Sequence, residues 1–547
     1  MLGLDLETTG LDPIIDKIRL VQLAGEFETD VFDLSQIPIA EFTPVWVGGS
    51  TKIIHNAKFD AGFIWHSTDA RVMPEPIFDT MLADQVIYNR GYPRSLGDLT
   101  KEYLDIDLAK ELQESDWSDE LTSEQLEYAA NDAAFLRPLQ VAVSTRAEAL
   151  GLGKILDLEN RAIPAMVWMT RAGINFDQDR WNQLRNESDG EAQRHRRELD
   201  SMVESEPVNW NSTYQVRNTL SALGLNVPDT KHETLESLRD QHPLIPRLIA
   251  YREAVKRSRT YGDNWTKFVH PATGRIHADW RQIGAETGRM SCARPNLQNL
   301  PRNPRYRSCF RAAPGAILVK ADYSQIELRL AAEIAGDVRM IRAFKEGQDL
   351  HSLAATLITN DKAVEAVTPE QRQLAKAVNF GLIYGMSAKR LAEYANTNFG
   401  VTLTEAQAVD IRDRYFAAFP DLQAWHRRQS RLRVTRTVLG RRRSIKPVNG
   451  RTPYTQLLNS PVQGSAADGM KLALARLWET RSIPGAFPVL VVHDEVVVET
   501  PEDRVDETKE WLVNAMVEGM NECLKVVPVV VDVQVGRTWG MEESEHQ

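Results

Sequence analysis

The sequence predicts an α/β domain followed by a larger mixed α+β body with inserted helices. Three observations lead there. Roughly the first 150 residues alternate short apolar strands with helical patterns. Long helical patterns fill residues 325–395 and 404–433, and the last hundred or so residues return to β character in PVLVVHDEVVVE (488–499) and VVPVVVDVQVG (526–536). At 547 residues the chain exceeds what one hydrophobic core organises, so three or four folded units are expected.

In chain order, residues 2–6, 18–24, 28–33 and 51–55 read as strands, and a Glu-, Leu- and Ala-rich helix is predicted over 123–147. Residues 182–203 and 244–264 are charged and helix-favouring, with Lys256, Arg257 and Arg259 clustered near the end. A further region begins near Gly274 with strand-like pieces and contains the apolar run 316–321. There is no internal repeat and no low-complexity tract.

Composition narrows the class. Hydrophobic residues at 42% and charged residues at 26% match globular proteins. No stretch approaches the roughly 20 apolar residues of a spanning helix, and MLGLDLETTG lacks the basic start and apolar run of a signal peptide. Three cysteines build no disulfide framework, which fits a reducing cytoplasm. The net charge of −11 argues against a polyanionic partner, yet binding depends on local patches. Residues 302–311 (RNPRYRSCFR) and 427–446 (RRQSRLRVTRTVLGRRRSIK) are locally basic, as a solvated helix face and loop or a nucleic-acid surface would be.

Asp5 and Glu7 flank Leu6 on a predicted strand, so both carboxylates share one face. Side by side they repel unless a cation lies between them, and their hard oxygens suit Mg²⁺ or Mn²⁺. Alone, this pair also fits an ordinary solvent-facing strand end. Next, HNAKFD (55–60) follows an apolar strand and opens a helix that Asn56 is placed to cap. Tyr128 and Asp132 share a helix face at i, i+4. DLETTG, then N-x-x-x-D, then Y-x-x-x-D resembles the DEDDy 3′→5′ exonucleases, whose domains are ribonuclease H-like. The resemblance implies Asp5, Glu7, Asp60 and Asp132 as ligands of two metal ions and Tyr128 as the residue orienting the attacking water. Only four residues precede Asp5, whereas this strand is usually central and has chain before it. Either the strand is short or the true start lies upstream of Met1; we expect the latter.

A second constellation begins with ADYSQIELR (321–329), where an apolar strand ending in Asp322 runs into a helix. His493-Asp494-Glu495 interrupts two Val-rich runs, a strand–turn–strand with carboxylates at the turn. A solvated loop would look the same in isolation. Between them Arg372, Lys376, Phe380 and Tyr384 recur every four residues, drifting about 40° per step into one slanting stripe. An amphipathic helix with a basic rim gives this pattern too. Two cations followed by two aromatics also suit a triphosphate followed by sugar and base. Gly381 inside the stripe costs about 1 kcal/mol relative to Ala, tolerable if a base approaches the backbone closely.

These segments resemble motifs A (322–329), B (RQLAKAVNFGLIYG, 372–385) and C (493–495) of the family A DNA polymerases. TGRMSC (287–292), PNLQNLP (295–301), DLH (349–351), NSPVQGSAAD (459–468) and the closing VDVQVGRTWG agree. The resemblance implies an exonuclease domain over 1–150, then a right-hand polymerase: thumb 151–270, palm 271–350 and 451–547, fingers 351–450. Asp322 and Asp494 would hold two ions, Mg²⁺ or Mn²⁺, with Glu495 a supporting acid. Arg372, Lys376 and His351 would grip the dNTP, and Lys376 would protonate pyrophosphate. Gln325 belongs to the same dNTP set. Glu327 would be the gate against a 2′-hydroxyl, Phe380 would pack on the sugar, and Tyr384 would sit near the templating base. Arg289, Asn459, Gln463 and His493 would contact primer terminus and minor groove. Lys256, Arg257 and Arg259 would hold phosphates, and residues 441–443 would lie near the template.

There are departures. Thr455 stands where the family usually has Arg, with Arg451 the nearby substitute, and Phe380 rather than Tyr implies poor use of dideoxynucleotides. There is no room for the 5′-nuclease domain of many bacterial members, which leans towards a phage replicative enzyme. The expected partners are primer–template DNA and dNTPs. A processivity factor or helicase is left open, no membrane is expected, and the chain is expected to act as a cytoplasmic monomer. Three rival readings are a single-subunit RNA polymerase, a catalytically silent DNA-binding scaffold, and an exonuclease with a vestigial second half. Glu327 argues against the first, the full set of carboxylates against the second, and the intact motif B against the third.

Overall fold

The computed structural model describes residues 1–68, 71–108, 115–203, 207–262, 265–301, 303–359 and 367–541. It divides into two compact units. The larger comprises Met1–Gly173, Ala278–Gln298 and Gly315–Val535; the smaller comprises Ile174–His277, Asn299–Pro314 and the segment beginning at Gly536. Among the described residues no helix is long and apolar enough to cross a membrane.

The larger unit starts with a five-stranded sheet in the order β3-β2-β1-β4-β5, built from β1 (Leu2–Thr8), β2 (Ile18–Ala24), β3 (Thr29–Asp33), β4 (Lys52–Ile54) and β5 (Ile77–Asp79). Central β1 is seven residues long, antiparallel to β2 and parallel to β4. Leu4 and Leu6 are buried on one side, and by alternation Asp5 and Glu7 face the other. Three-residue β5 is too short to leave a period, so the sequence did not announce it. Helix α1 (Ala57–Ser67) follows β4. The helix expected over 123–147 is two, α2 (Ser123–Ala134) and α3 (Leu136–Ala149). Pro138 cannot donate to residue 134, and it sits instead in the first turn of α3, where N–H groups lack helical partners. Thr122 and Gln125 form a capping box on α2. Helix α4 (Gly153–Ala172) runs next.

The second core of this unit is a four-stranded sheet in the order β7-β8-β6-β9, comprising β6 (Ala316–Tyr323), β7 (Phe487–Val492), β8 (Glu495–Pro501) and β9 (Val531–Gly536). Val489–Val492 and Val496–Val498 are buried, which explains the unbroken valine runs. The helical stretches of the sequence are successions of shorter helices, among them α5 (Ile326–Ala335) and α6 (Pro369–Ile383), and the last hundred residues, expected to be β in character, also hold the 26-residue helix α7 (Tyr454–Glu479). Left-handed Gly336 ends α5, and Gly400 likewise ends the helix Ala388–Phe399.

Four charges lie buried together in this unit. Arg441 Nε donates to Asp468 Oδ1 at 2.7 Å, and Arg441 Nη2 reaches Glu159 on α4. Lys471 Nζ donates to the same Glu159 at 2.6 Å. This corrects one expectation: the first Arg of the 441–443 run is 4% exposed and is a core residue, not a template contact. The signs balance, and the cluster anchors α4 and α7 to the hairpin of Val434–Arg436 and Arg442–Ser444.

In the smaller unit the helices Gln178–Ser201 and Leu244–Thr260 pack with a core of Leu199, Trp210, Val216, Leu220 and Leu248. Lys256, Arg257 and Arg259 occupy the last turns of Leu244–Thr260, with Arg257 paired to Glu191 at 2.8 Å. Arg302 of the first basic segment lies outside the described residues.

Removing one member of a buried charge set leaves its partners uncompensated, which costs about 3–5 kcal/mol. Arg441→Met is therefore expected to lower the urea unfolding midpoint sharply. Arg443→Met, at a site with an exposed partner in Glu286, should change it far less.

Candidate active sites

Carboxylate oxygens of Asp5, Glu7 and Asp132 lie within 4.8 Å of one another. β1 supplies the first two from one face, and α2 supplies the third. Asp60, buried on α1, faces Asp5 and Glu7 electrostatically but stands outside that tight trio. Tyr128, one turn before Asp132, is hydrogen-bonded to it. The expected N-cap differs. Asn56 has a left-handed φ of 68° and its side chain makes no cap bond. Asp79 does the work from β5, its carboxylate accepting from the N–H groups of Ala57 at 2.8 Å and Asn56 at 3.3 Å. It also caps its own helix through Met81 and Leu82. Sequence reasoning missed Asp79, although an Asp directly before a helix is a start signal.

Asp322, the penultimate residue of β6, lies opposite Glu495 of β8. His493 and Asp494 form the turn between β7 and β8; His493 takes a φ of 60°, and the Asp494 carbonyl accepts from Tyr323 N–H at 3.1 Å. The Asp494 charge acts directly on Asp322, whose Oδ1 is buried with no partner among the described residues. An orphaned carboxylate oxygen beside a second carboxylate, with only oxygen donors, fits a hard divalent cation.

Helix α6 opens with a Thr368–Gln371 capping box and presents Arg372, Lys376 and Phe380 in succession. Tyr384, the fourth member of the stripe, lies one residue past the helix end. Hydrogen bonds tie this helix to the segment after β6. Asp349 accepts from Arg372 Nε at 2.7 Å and from Gln325 Nε2 at 3.2 Å. Glu327 accepts from both the Tyr384 hydroxyl and Arg289. His351 Nδ1 lies 2.9 Å from Asn379 Nδ2, and its ring centroid is 5.8 Å from that of half-exposed Phe380. Gln463 is hydrogen-bonded to Tyr384, while Asn459 leaves Oδ1 without a partner among the described residues. His493 is exposed, as are Arg451 and Thr455. At Gly381 a Cβ would meet Leu391 Cδ1 at 3.0 Å and Met386 Sδ at 3.3 Å, so internal packing also favours a small residue there. Asp349 as hub and Asn379 as its neighbour's anchor were not foreseen in these roles.

A model of DNA polymerase family A matches residues 178–541. The chain belongs to the family A DNA polymerases. A 3′-5′ exonuclease model matches residues 1–146, so the polymerase carries that domain at its start. It is a DNA-directed DNA polymerase, which sets aside the RNA polymerase reading. DNA polymerase I of Aquifex aeolicus is 34% identical over 575 aligned residues, covering 98% of this chain and 95% of that one. The thermostable DNA polymerase I of Thermus aquaticus is 38% identical over 357 residues, but the match covers only 42% of its length. The chain thus spans less than half of that longer Thermus protein. The polymerase domain of Pol1 from M. smegmatis, solved in complex with DNA primer-template and dNTP, superimposes with a TM-score of 0.84 at 26% identity, covering 99% of this chain and 96% of that one.

Both carboxylate groups of the polymerase are held against electrostatics. Burial, then the charges of Asp5 and Asp132, push Glu7 up to about 9. Burial pushes Asp132 up to about 6, and Asp5 and Asp60 are likewise raised by burial and by their neighbours. Burial, then Asp494 and Glu495, raise Asp322 to about 7. The folded state thus binds more protons than the unfolded one between the ordinary carboxylate range and pH about 9, so stability falls as pH rises through that window. In EDTA, the thermal midpoint should decline from pH 5.5 to 8.5. Added Mg²⁺ or Mn²⁺ should raise it more at pH 8.5 than at 5.5, and a pH-independent increment would contradict the assignment.

Proposed function

We propose that this polymerase adds dNTPs to a primer 3′ end at Asp322 and Asp494, and removes 3′-terminal nucleotides at Asp5, Glu7, Asp60 and Asp132. The observation that carries the polymerase half is the hydrogen-bond chain joining the catalytic strand end to α6, Gln325–Asp349–Arg372 and Glu327–Tyr384. It holds Arg372 and Tyr384, the first and last members of the stripe, against the segment that follows Asp322, which supports a nucleotide site between them. Mg²⁺, or Mn²⁺, two ions at each site, would lower the pKa of the attacking hydroxyl or water and neutralise the leaving group. Arg372, Lys376 and His351 hold the triphosphate, and Lys376 donates a proton to pyrophosphate as it leaves. Burial lowers the His351 pKa to about 4, so it acts as a neutral hydrogen-bonding group at physiological pH. Phe380 packs on the sugar, and Tyr384 borders the templating base. Glu327, fixed by Arg289 and Tyr384, crowds the 2′ position. Arg289, Asn459, Gln463 and His493 contact the primer terminus and minor groove, and Glu495 supports the metal acids. At the other site Tyr128 orients the attacking water.

Primer–template DNA and dNTPs are the partners by analogy with the M. smegmatis complex. Lys256, Arg257 and Arg259 hold backbone phosphates, which makes binding salt-dependent. The exonuclease covers 1–150, the thumb 151–270, the palm 271–350 and 451–547, and the fingers 351–450. The chain acts as a monomer in the cytoplasm, in replication or repair.

A labelled primer–template with Mg²⁺, with and without dNTPs, tests both halves. Asp494→Ala should abolish extension and keep shortening; Asp5→Ala should do the reverse. Loss of both activities in either variant would contradict two independent sites. Glu327→Ala should raise ribonucleotide use relative to dNTPs by about ten- to a hundred-fold, measured as a ratio of kcat/KM values.

A further inference from the structure

Gln22 on β2 is fully buried, and neither its Nε2 nor its Oε1 has a partner among the described residues. Buried amides are almost always hydrogen-bonded. Register says what lies beside it: Gln22 pairs directly with Asp5 across the antiparallel β1–β2 ladder. Directly paired residues project to the same face, so the amide shares the face of Asp5 and, by period two, of Glu7 and Leu20. Leu20 packs there against Trp117 and Ala129 of α2, with Val31 and Tyr128 alongside. Val31 is the partner of Gln22 on β3. The amide therefore shares its face of the sheet with these apolar groups and, across the ladder, with the side chain of Asp5. An apolar side chain would fill that space at lower cost unless the amide has work to do.

We propose that Gln22 is a positioning residue of the exonuclease site, holding the Asp5 carboxylate through a water molecule bound between them. A water suits both orphaned atoms, because it accepts from Nε2, donates to Oε1 and donates again to the carboxylate. Fixing that carboxylate from behind orients its other oxygen towards Glu7 and Asp132. The proposal rests on the exonuclease reading of this cluster.

The test is Gln22→Met, which keeps length and volume and removes hydrogen bonding. Excision of a single-stranded oligonucleotide should fall about 10- to 100-fold in kcat with KM unchanged. The affinity of the Asp5–Glu7–Asp132 cluster for Mn²⁺, read by calorimetry as the binding that Asp5→Ala abolishes, should fall likewise, and primer extension should be unchanged. Unchanged excision and Mn²⁺ affinity would overturn the proposal. Should the variant not fold, a high-resolution crystal structure of the unaltered protein decides it: water density bridging Gln22 and Asp5 supports it, and none overturns it. If Asp5→Ala itself leaves excision intact, the exonuclease reading fails instead, which is a distinct result.

Discussion

Repulsion between carboxylates that the fold forces together is the constraint on which both sites depend. Two such charges separated by about 4–5 Å cost about 3–4 kcal/mol at an effective dielectric of about 20. The polymerase meets this cost twice, at the centre of its first sheet and at the end of β6. In each case the acids sit on the most rigid available backbone: a central strand, a strand end and a tight turn. Rigidity matters because a flexible loop would let the acids part and leave no cation site. Burial is the first cause of the raised values of Glu7 and Asp322, and repulsion from the neighbouring carboxylates adds to it, whereas Asp132 is raised by burial.

The supports behind these acids meet on one helix. On α4, Asn160 accepts from the N–H of Asp79, which caps the helix presenting Asp60. Its neighbour Glu159 enters the buried charge cluster with Arg441 and Lys471. Arg441 in turn lies under Gly288, where any Cβ would come within 2.6 Å of its Nε, and a φ of 83° also favours glycine. The next residue is Arg289, which clamps Glu327. Adjacent residues on α4 therefore brace the scaffolding of both sites, and buried charge rather than loop contact makes that bracing stiff.

Most of the chemistry was legible in the sequence because it resides in side chains that repeat at a backbone period. Asp5 and Glu7 alternate along a strand, and Arg372, Lys376 and Phe380 step along a helix, so local geometry alone brings them to one face. What escaped notice depends on distant chain. Asp79 acts on residues 56 and 57 from another strand, and Asp349 gathers Gln325 and Arg372 from either side of it. Arg441 looked like part of a basic surface run because its counter-charges, Glu159 and Asp468, are remote in sequence. The single helix expected over 123–147 failed for a local reason that Pro138 should have signalled. At Gly381 the neighbours Leu391 and Met386 add a packing reason for a small residue that the sequence did not show.

Anomalous diffraction from Mn²⁺-soaked crystals tests most directly whether these acid clusters are built as cation sites. The account predicts peaks among Asp5, Glu7 and Asp132 and between Asp322 and Asp494. Occupied manganese sites elsewhere with none at these two clusters would contradict it.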